Sequence, residues 1–280
     1  MKLKKKIVSL VTSSGPGRDA LEWWIHRQTR IYVLSYPKSG RTWLRLMIGK
    51  ALDEHYQLRA ANPMELGRMH ALHRDIPRIR VTHENAHRAE TIEAGKQRFR
   101  DKTVVFLVRD PRDVVVSMYF EASRRSDLFQ GTISDFVRQP VGGLDAIIDY
   151  DNVWAAAASV PRRFHLVRYE DLHRTPATVL ASVLEAMQLP VGPAAIEAAI
   201  AFSKFDNMRK LEAANAFGSH RLKPGDAKDP ESFKTRKGKI GGYREYLSAE
   251  DLAWVNTRIA DRLSPFYATY QQSDAQPARA

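Results

Sequence analysis

Apolar residues along this chain follow two different spacings. Ile31, Tyr32, Val33 and Leu34 form a continuous run, and after Pro37, Lys38 and Gly40 the residues Leu44, Met47, Ile48, Ala51 and Leu52 recur at helical intervals. This predicts a strand, a tight loop and a helix. Further strands are predicted at Arg78–His83, Thr103–Val108 and Phe164–Tyr169, each followed by a helix-compatible stretch. The best helical patterns cover Arg41–His55, Arg112–Arg124, Leu144–Ser159, Pro176–Met187, Pro193–Phe202 and Ala249–Leu263. Such alternation implies an α/β fold: a central parallel sheet flanked by helices, with functional residues at the carboxyl ends of the strands. No repeat or flexible linker divides the chain, so a single domain over residues 30–270 is expected. An N-terminal extension (1–29) precedes it, and a tail (271–280) without apolar anchors is expected to be disordered.

Composition narrows the chemistry. With 44% hydrophobic residues in 280 the chain can bury a full core, and the absence of cysteine excludes disulfides, a thiol nucleophile and a cysteine-based zinc site. Lys and Arg number 44 against 32 Asp and Glu, a net charge of +12 that suggests anionic partners. The basic N-terminus carries only the short apolar stretch Ile7–Val11, and no segment approaches the ~18 apolar residues of a membrane span, so a soluble, cytoplasmic protein without a transmembrane segment is expected. The adjacent Trp23 and Trp24 are read as packing residues.

The loop after the first strand places Lys38 before Gly40 and Thr42 after it. A nucleotide-triphosphatase loop reads G-x-x-x-x-G-K-[ST], with Lys after the last Gly, so that pattern is absent. What remains is a related anion cradle: Lys38 as a point charge, Gly40 for close approach, and the N–H groups of Arg41, Thr42 and Trp43 at a helix start. A plain surface turn is the alternative. A second basic position, Arg109, ends the strand Thr103–Val108, with Ser117 eight residues on. Arg suits bidentate phosphate contacts, though pairing with Asp110 or Asp113 would also explain it. A third basic segment surrounds Gly238 with Arg236, Lys237 and Lys239, inside the long irregular stretch His220–Tyr243. Three such sites in one chain favour one ligand with two separated anionic groups.

"YPKSGRTW", the Arg109–Ser117 spacing and "RKGKIGG", in this order, resemble the cytosolic-type sulfotransferases, over roughly Tyr32 to Tyr243. The resemblance implies a P-loop-NTPase-like sulfotransferase fold and a donor co-substrate, 3′-phosphoadenosine 5′-phosphosulfate (PAPS). By position, Lys38, Ser39, Gly40, Arg41, Thr42 and Trp43 would hold the 5′-phosphosulfate, and Arg109, Ser117 and the segment Arg236, Lys237, Gly238 the 3′-phosphate. Tyr169 in "LVRYEDL" would touch the adenine, with Ser203 and Phe205 in "FSKFDNM" beside it. The family's K-T-H triplet matches "VTH", which makes His83 the implied general base, with Glu84 next to it as fallback. Lys38 would offset charge on the leaving nucleotide, and no metal is expected, since no His/Asp/Glu cluster has ligand spacing.

The chain departs from the pattern in three places. Arg41 replaces a common Thr, Val81 replaces the triplet's Lys, leaving Arg78 or Arg80 as possible substitutes, and the C-terminal dimer motif is not matched around Arg244–Ala253, so the oligomeric state stays open. The acceptor is expected to be a small molecule, or a glycan or lipid, carrying a hydroxyl or an amine; Phe120, Phe129 and Phe136 suggest an apolar one. A small-molecule kinase lacks its G-K-[ST] here, and no nucleic-acid-binding motif interleaves aromatics with the basic runs.

Overall fold

The computed structural model describes residues 15–84, 86, 96–216, 233 and 238–272. Four parallel strands, β1 (Ile31–Ser35), β2 (Ile79–Thr82), β3 (Thr103–Val108) and β4 (Arg163–Arg168), form a sheet in the order β2-β1-β3-β4. Leu34 pairs with Thr82 on one side and Phe106 on the other, and Val108 pairs with Arg168. All residues of β1 and β3 are buried, as expected for strands covered on both faces. Their side chains alternate between two cores. Tyr32, Leu34 and Phe106 pack with Phe99, Ile148 and Trp154 on one face. Ile31, Val33, Val105 and Leu107 pack with Leu44, Met47 and Leu184 on the other.

The predicted helices form close to their expected limits, as Arg41–Tyr56, Pro111–Phe120, Leu144–Ala156, Pro176–Ala186, Pro193–Phe202 and Ala249–Arg262. The helix predicted to run to Arg124 stops at Phe120 and continues as a π-helical turn over Glu121–Arg125. Two short helices that the apolar pattern does not mark, Tyr169–Arg174 and Phe205–Ala213, follow β4 and Ser203.

Residues 15–28 of the N-terminal extension form a helix tied to the start of β1: His26 bonds the Tyr32 hydroxyl at 2.7 Å and the Arg98 carbonyl at 2.9 Å. Trp23 and Trp24 depart from the packing expectation; both are exposed, lying under the guanidinium groups of Arg27 and Arg78. Among the described residues no helix is long and apolar enough to cross a membrane.

The chain runs from β1 to β2 on one side and then across to β3 on the other, so the connections diverge between β1 and β3. In an open parallel sheet that divergence leaves a crevice beyond the strands' carboxyl ends. Lys38, His83, Arg109 and Tyr169 lie just after β1, β2, β3 and β4.

Candidate active site

The crevice is a cavity of about 620 Å³. Its floor is the turn after β1, where Lys38 (φ 70°) and Gly40 (φ 94°) both adopt left-handed backbone conformations. Gly40 precedes the helix Arg41–Tyr56, and a Cβ there would lie 2.5 Å from the Tyr169 ring, so only glycine lets the ring close on the turn. Ser39 is buried beneath the cavity wall, whereas Lys38, Gly40, Arg41, Thr42 and Trp43 line it.

Lys38 Nζ donates to Glu121 Oε2 at 2.7 Å, and Arg125 Nη1 lies 3.1 Å from both oxygens of that carboxylate. Burial lowers the Lys38 pKa against the pull of Glu121. Burial would raise that of Glu121, but Lys38 and Arg125 outweigh it and hold the carboxyl down at about 2. Arg41 is different. Its Nη1 is buried without a hydrogen-bond partner, and burial lowers its pKa to about 10.

His83 follows β2 and lines the same cavity. Its Nδ1 lies 2.8 Å from the Ser35 carbonyl, which can only accept, so Nδ1 carries a proton and in the neutral ring Nε2 is the accepting nitrogen. Glu84 turns away through a left-handed conformation (φ 44°) and is buried in ion pairs with Lys96 and Arg98. Arg80 pairs with Glu22 at 2.7 Å, and Arg78 bonds His70 at 3.0 Å; neither lines the cavity, so neither replaces the charge missing at Val81.

The opposite wall is built around Arg109. Its Cζ lies 4.3 Å from the Tyr169 ring centroid, and its Nη2 contacts Asp113 Oδ2 at 3.2 Å and the Lys239 carbonyl at 3.0 Å, while its Nε is buried without a partner. The pairing with Asp113 therefore exists, yet Arg109 still faces the cavity. Asp113 also accepts the backbone N–H groups of Gly241 (2.9 Å) and Tyr243 (3.1 Å), pinning the start of the C-terminal segment to this wall. Ser117 lies one to two turns further along the helix and lines the cavity too.

Aromatic groups close the remaining side. Trp43 Nε1 donates to the Ser203 carbonyl at 2.8 Å, and its ring meets those of Tyr169 and His173 edge-on. His173 Nε2 donates to the Gly238 carbonyl at 2.6 Å, and Gly238 (φ 60°) sits so near the Phe205 ring that a Cβ would come within 2.6 Å. Ser203 Oγ is buried with no partner. Arg236 and Lys237 lie outside the described residues, as does most of His220–Tyr243.

The sulfotransferase domain model matches residues 28–266. The chain belongs to the sulfotransferase family. Flavonol 3-sulfotransferase of Flaveria bidentis is 24% identical over 262 residues, covering 83% of this sulfotransferase and 81% of the relative. Among solved structures, mouse sulfotransferase SULT7A1 complexed with PAP shares the fold at a TM-score of 0.59 and 18% identity, covering 84% of each chain. Retinol dehydratase in a complex with retinol and PAP matches at 0.59 and 17%, covering 90% of this chain and 84% of its own.

Two wall residues, Glu121 and His173, have no mark in the sequence; they stand one helical turn after Ser117 and Tyr169, which puts them on the same helix faces. Asp113, one turn after Arg109, is legible only as its ion-pair partner. The three phenylalanines Phe120, Phe129 and Phe136 lie elsewhere than in this cavity: Phe120 packs on Tyr246, and Phe129 on Phe136.

Proposed function

We propose that this sulfotransferase transfers the sulfuryl group of PAPS to the hydroxyl of a small-molecule acceptor, with His83 as general base. The observation that carries this reading is the convergence in one cavity of Lys38 and His83 with Arg109, Ser117 and Ser203. The cationic side chains Lys38, Arg41 and Arg109 on the wall suit a ligand with separated anionic groups.

The turn after β1 and the helix start at Arg41 would bind the 5′-phosphosulfate, Arg109 and Ser117 the 3′-phosphate, and Trp43, Tyr169, Ser203 and Phe205 the adenosine. When bound, PAPS supplies a sulfuryl group on a bridging oxygen: the acceptor oxygen forms a bond to sulfur, the bridging bond breaks, and its electron pair stays on the departing phosphate. His83 Nε2 takes the acceptor's proton, with Ser35 fixing the tautomer through Nδ1. Lys38 offsets negative charge on the departing oxygen. Glu84 cannot serve without giving up its ion pairs with Arg98 and with the buried Lys96, and this supports His83.

The walls contributed by Pro37, Met47, Met118, Ile200 and Met208 support an acceptor with an apolar body. Incubation with PAPS and matched panels of phenols, apolar alcohols, lipids and sugars, read by mass spectrometry, tests the reading. Sulfated product from phenols or apolar alcohols is expected, and product from sugars alone would contradict the acceptor assignment.

A further inference from the structure

The exposed pair Trp23 and Trp24 has no part in the cavity. In the helix Gly15–Gln28, Ala20, Trp23, Trp24 and Arg27 stand at i, i+3, i+4 and i+7, the spacing of a single face, and all four are exposed. Leu21 and Ile25 are half-buried and His26 reaches Tyr32, so the other side of the helix rests on the domain. A stripe at this spacing ordinarily turns its aromatic groups toward a core. Here it points outward, with Trp23 61% and Trp24 47% exposed.

Cations frame the two indoles. Arg27 Cζ lies 5.4 Å from the Trp23 ring centroid, and Arg78 Cζ lies 5.3 Å from that of Trp24. Arg30, just past the helix, is exposed as well. The carboxylate of Glu22 is taken up by Arg80 at 2.7 Å. Residues 1–30 carry seven Lys and Arg, among them Lys2, Lys4, Lys5 and Lys6, against two acids. Arg78 directly precedes β2, so the patch lies at the amino end of the sheet, whereas the cavity lies beyond the carboxyl ends.

We propose that this face docks on an anionic lipid surface, with the helix lying in the plane of the interface. An indole has an apolar body and one N–H donor, which suits the level of the headgroups, and a guanidinium stacked on it can give paired N–H donors to a lipid phosphate while its stem stays on the ring. Charge complementarity selects the anionic bilayer, because the cations beside the Trp pair are drawn to its negative surface. A second copy of this chain would bring the same cations face to face, where they repel. Docking by the amino end of the sheet leaves the cavity open to water, and it needs no spanning helix, in keeping with the lack of one among the described residues.

The test is co-sedimentation of the full chain with vesicles of phosphatidylcholine, alone or mixed with phosphatidylglycerol. The wild type should bind the mixed vesicles about tenfold more tightly than the neutral ones, and less tightly as salt is raised. Joint replacement Trp23→Ala and Trp24→Ala should weaken that binding about tenfold, and Arg27→Gln about fivefold, the scale for one cation near such a surface. Melting temperature and affinity for 3′-phosphoadenosine 5′-phosphate (PAP) should match the wild type in both, since the replaced groups are exposed and lie outside the cavity. If the double variant melts early, Arg27→Gln decides. A wild type that ignores the mixed vesicles, or folded variants that bind them as tightly as the wild type does, would overturn the proposal. So would a wild-type dimer that the Trp variant splits into monomers in sedimentation velocity, which would give the face to a second copy, or variants that lose an RNA oligonucleotide and keep the vesicles.

Discussion

Lys38 Nζ and Glu121 Oε2 lie 2.7 Å apart, so the cation of the turn after β1 is held by a carboxylate from the π-helical turn at the far wall of the cavity. An anionic ligand reaching Lys38 meets that carboxylate as well. At about 6 Å and an effective dielectric near 20, the repulsion is of order 3 kcal/mol before Lys38 and Arg125 offset most of it. Glu121→Gln should therefore bind PAP about fivefold more tightly in isothermal titration. Unchanged or weaker binding would mean that the carboxylate positions Lys38 for the ligand.

The same carboxylate makes stability depend on acid pH. The Glu121 pKa falls from 4.5 to about 2 on folding, so its contribution is present above pH 4.5 and is lost as the pH drops through about 2. Asp110 acts oppositely. Burial raises its pKa from 3.8 to about 6 against the pull of Arg112, so the folded state holds the extra proton, and stability falls as the pH rises from about 4 to 6. Urea unfolding across this range should show that fall in the wild type and a flatter profile in Asp110→Asn, which keeps a side-chain oxygen for the Arg112 N–H that Asp110 now caps at 2.9 Å. Parallel profiles would contradict the assignment to Asp110.

Gly40→Ala should be damaging twice over. The left-handed conformation strains any Cβ, and this one would meet the Tyr169 ring at 2.5 Å. A loss of about 1–3 kcal/mol in urea unfolding is expected, with PAP affinity falling because the ring and the turn both line the cavity. A variant with unchanged stability and affinity would show that the turn is not held in this form.

Arg109→Ala should weaken PAP by about 2–5 kcal/mol, the usual effect of truncating one partner of a buried charged hydrogen bond, and leave AMP nearly unaffected. Equal losses for both nucleotides would remove the 3′-phosphate from Arg109.

The fold was readable because β1 and β3 are buried on both faces and therefore spell continuous apolar runs, and because the helix Arg41–Tyr56 keeps a regular buried stripe. The helix Gly15–Gln28 escaped notice since it buries little: its hold on the sheet is polar, through His26, and its two Trp are exposed. The phosphate-type loops were legible from Gly and basic residues at strand ends, whose backbone needs are local. Glu121 was not, because its role depends on Lys38, 83 residues away, and on a π-helical turn that shifts the side-chain direction after Phe120. The ion pairs of Glu84 were equally hidden, since a left-handed residue after β2 has no mark in its sequence.

The most direct test of the account is the turnover of His83→Ala beside its affinity for PAP. In the proposed reading Lys38, Arg41 and Arg109 hold the donor's anions and His83 acts only on the acceptor, so PAP should bind within about twofold of the wild type. Turnover should drop by about 10²–10⁴, the usual contribution of general-base catalysis. A His83→Ala enzyme with normal turnover, alongside a Glu84→Gln enzyme that is folded and inactive, would contradict the assignment and move the base to the carboxylate.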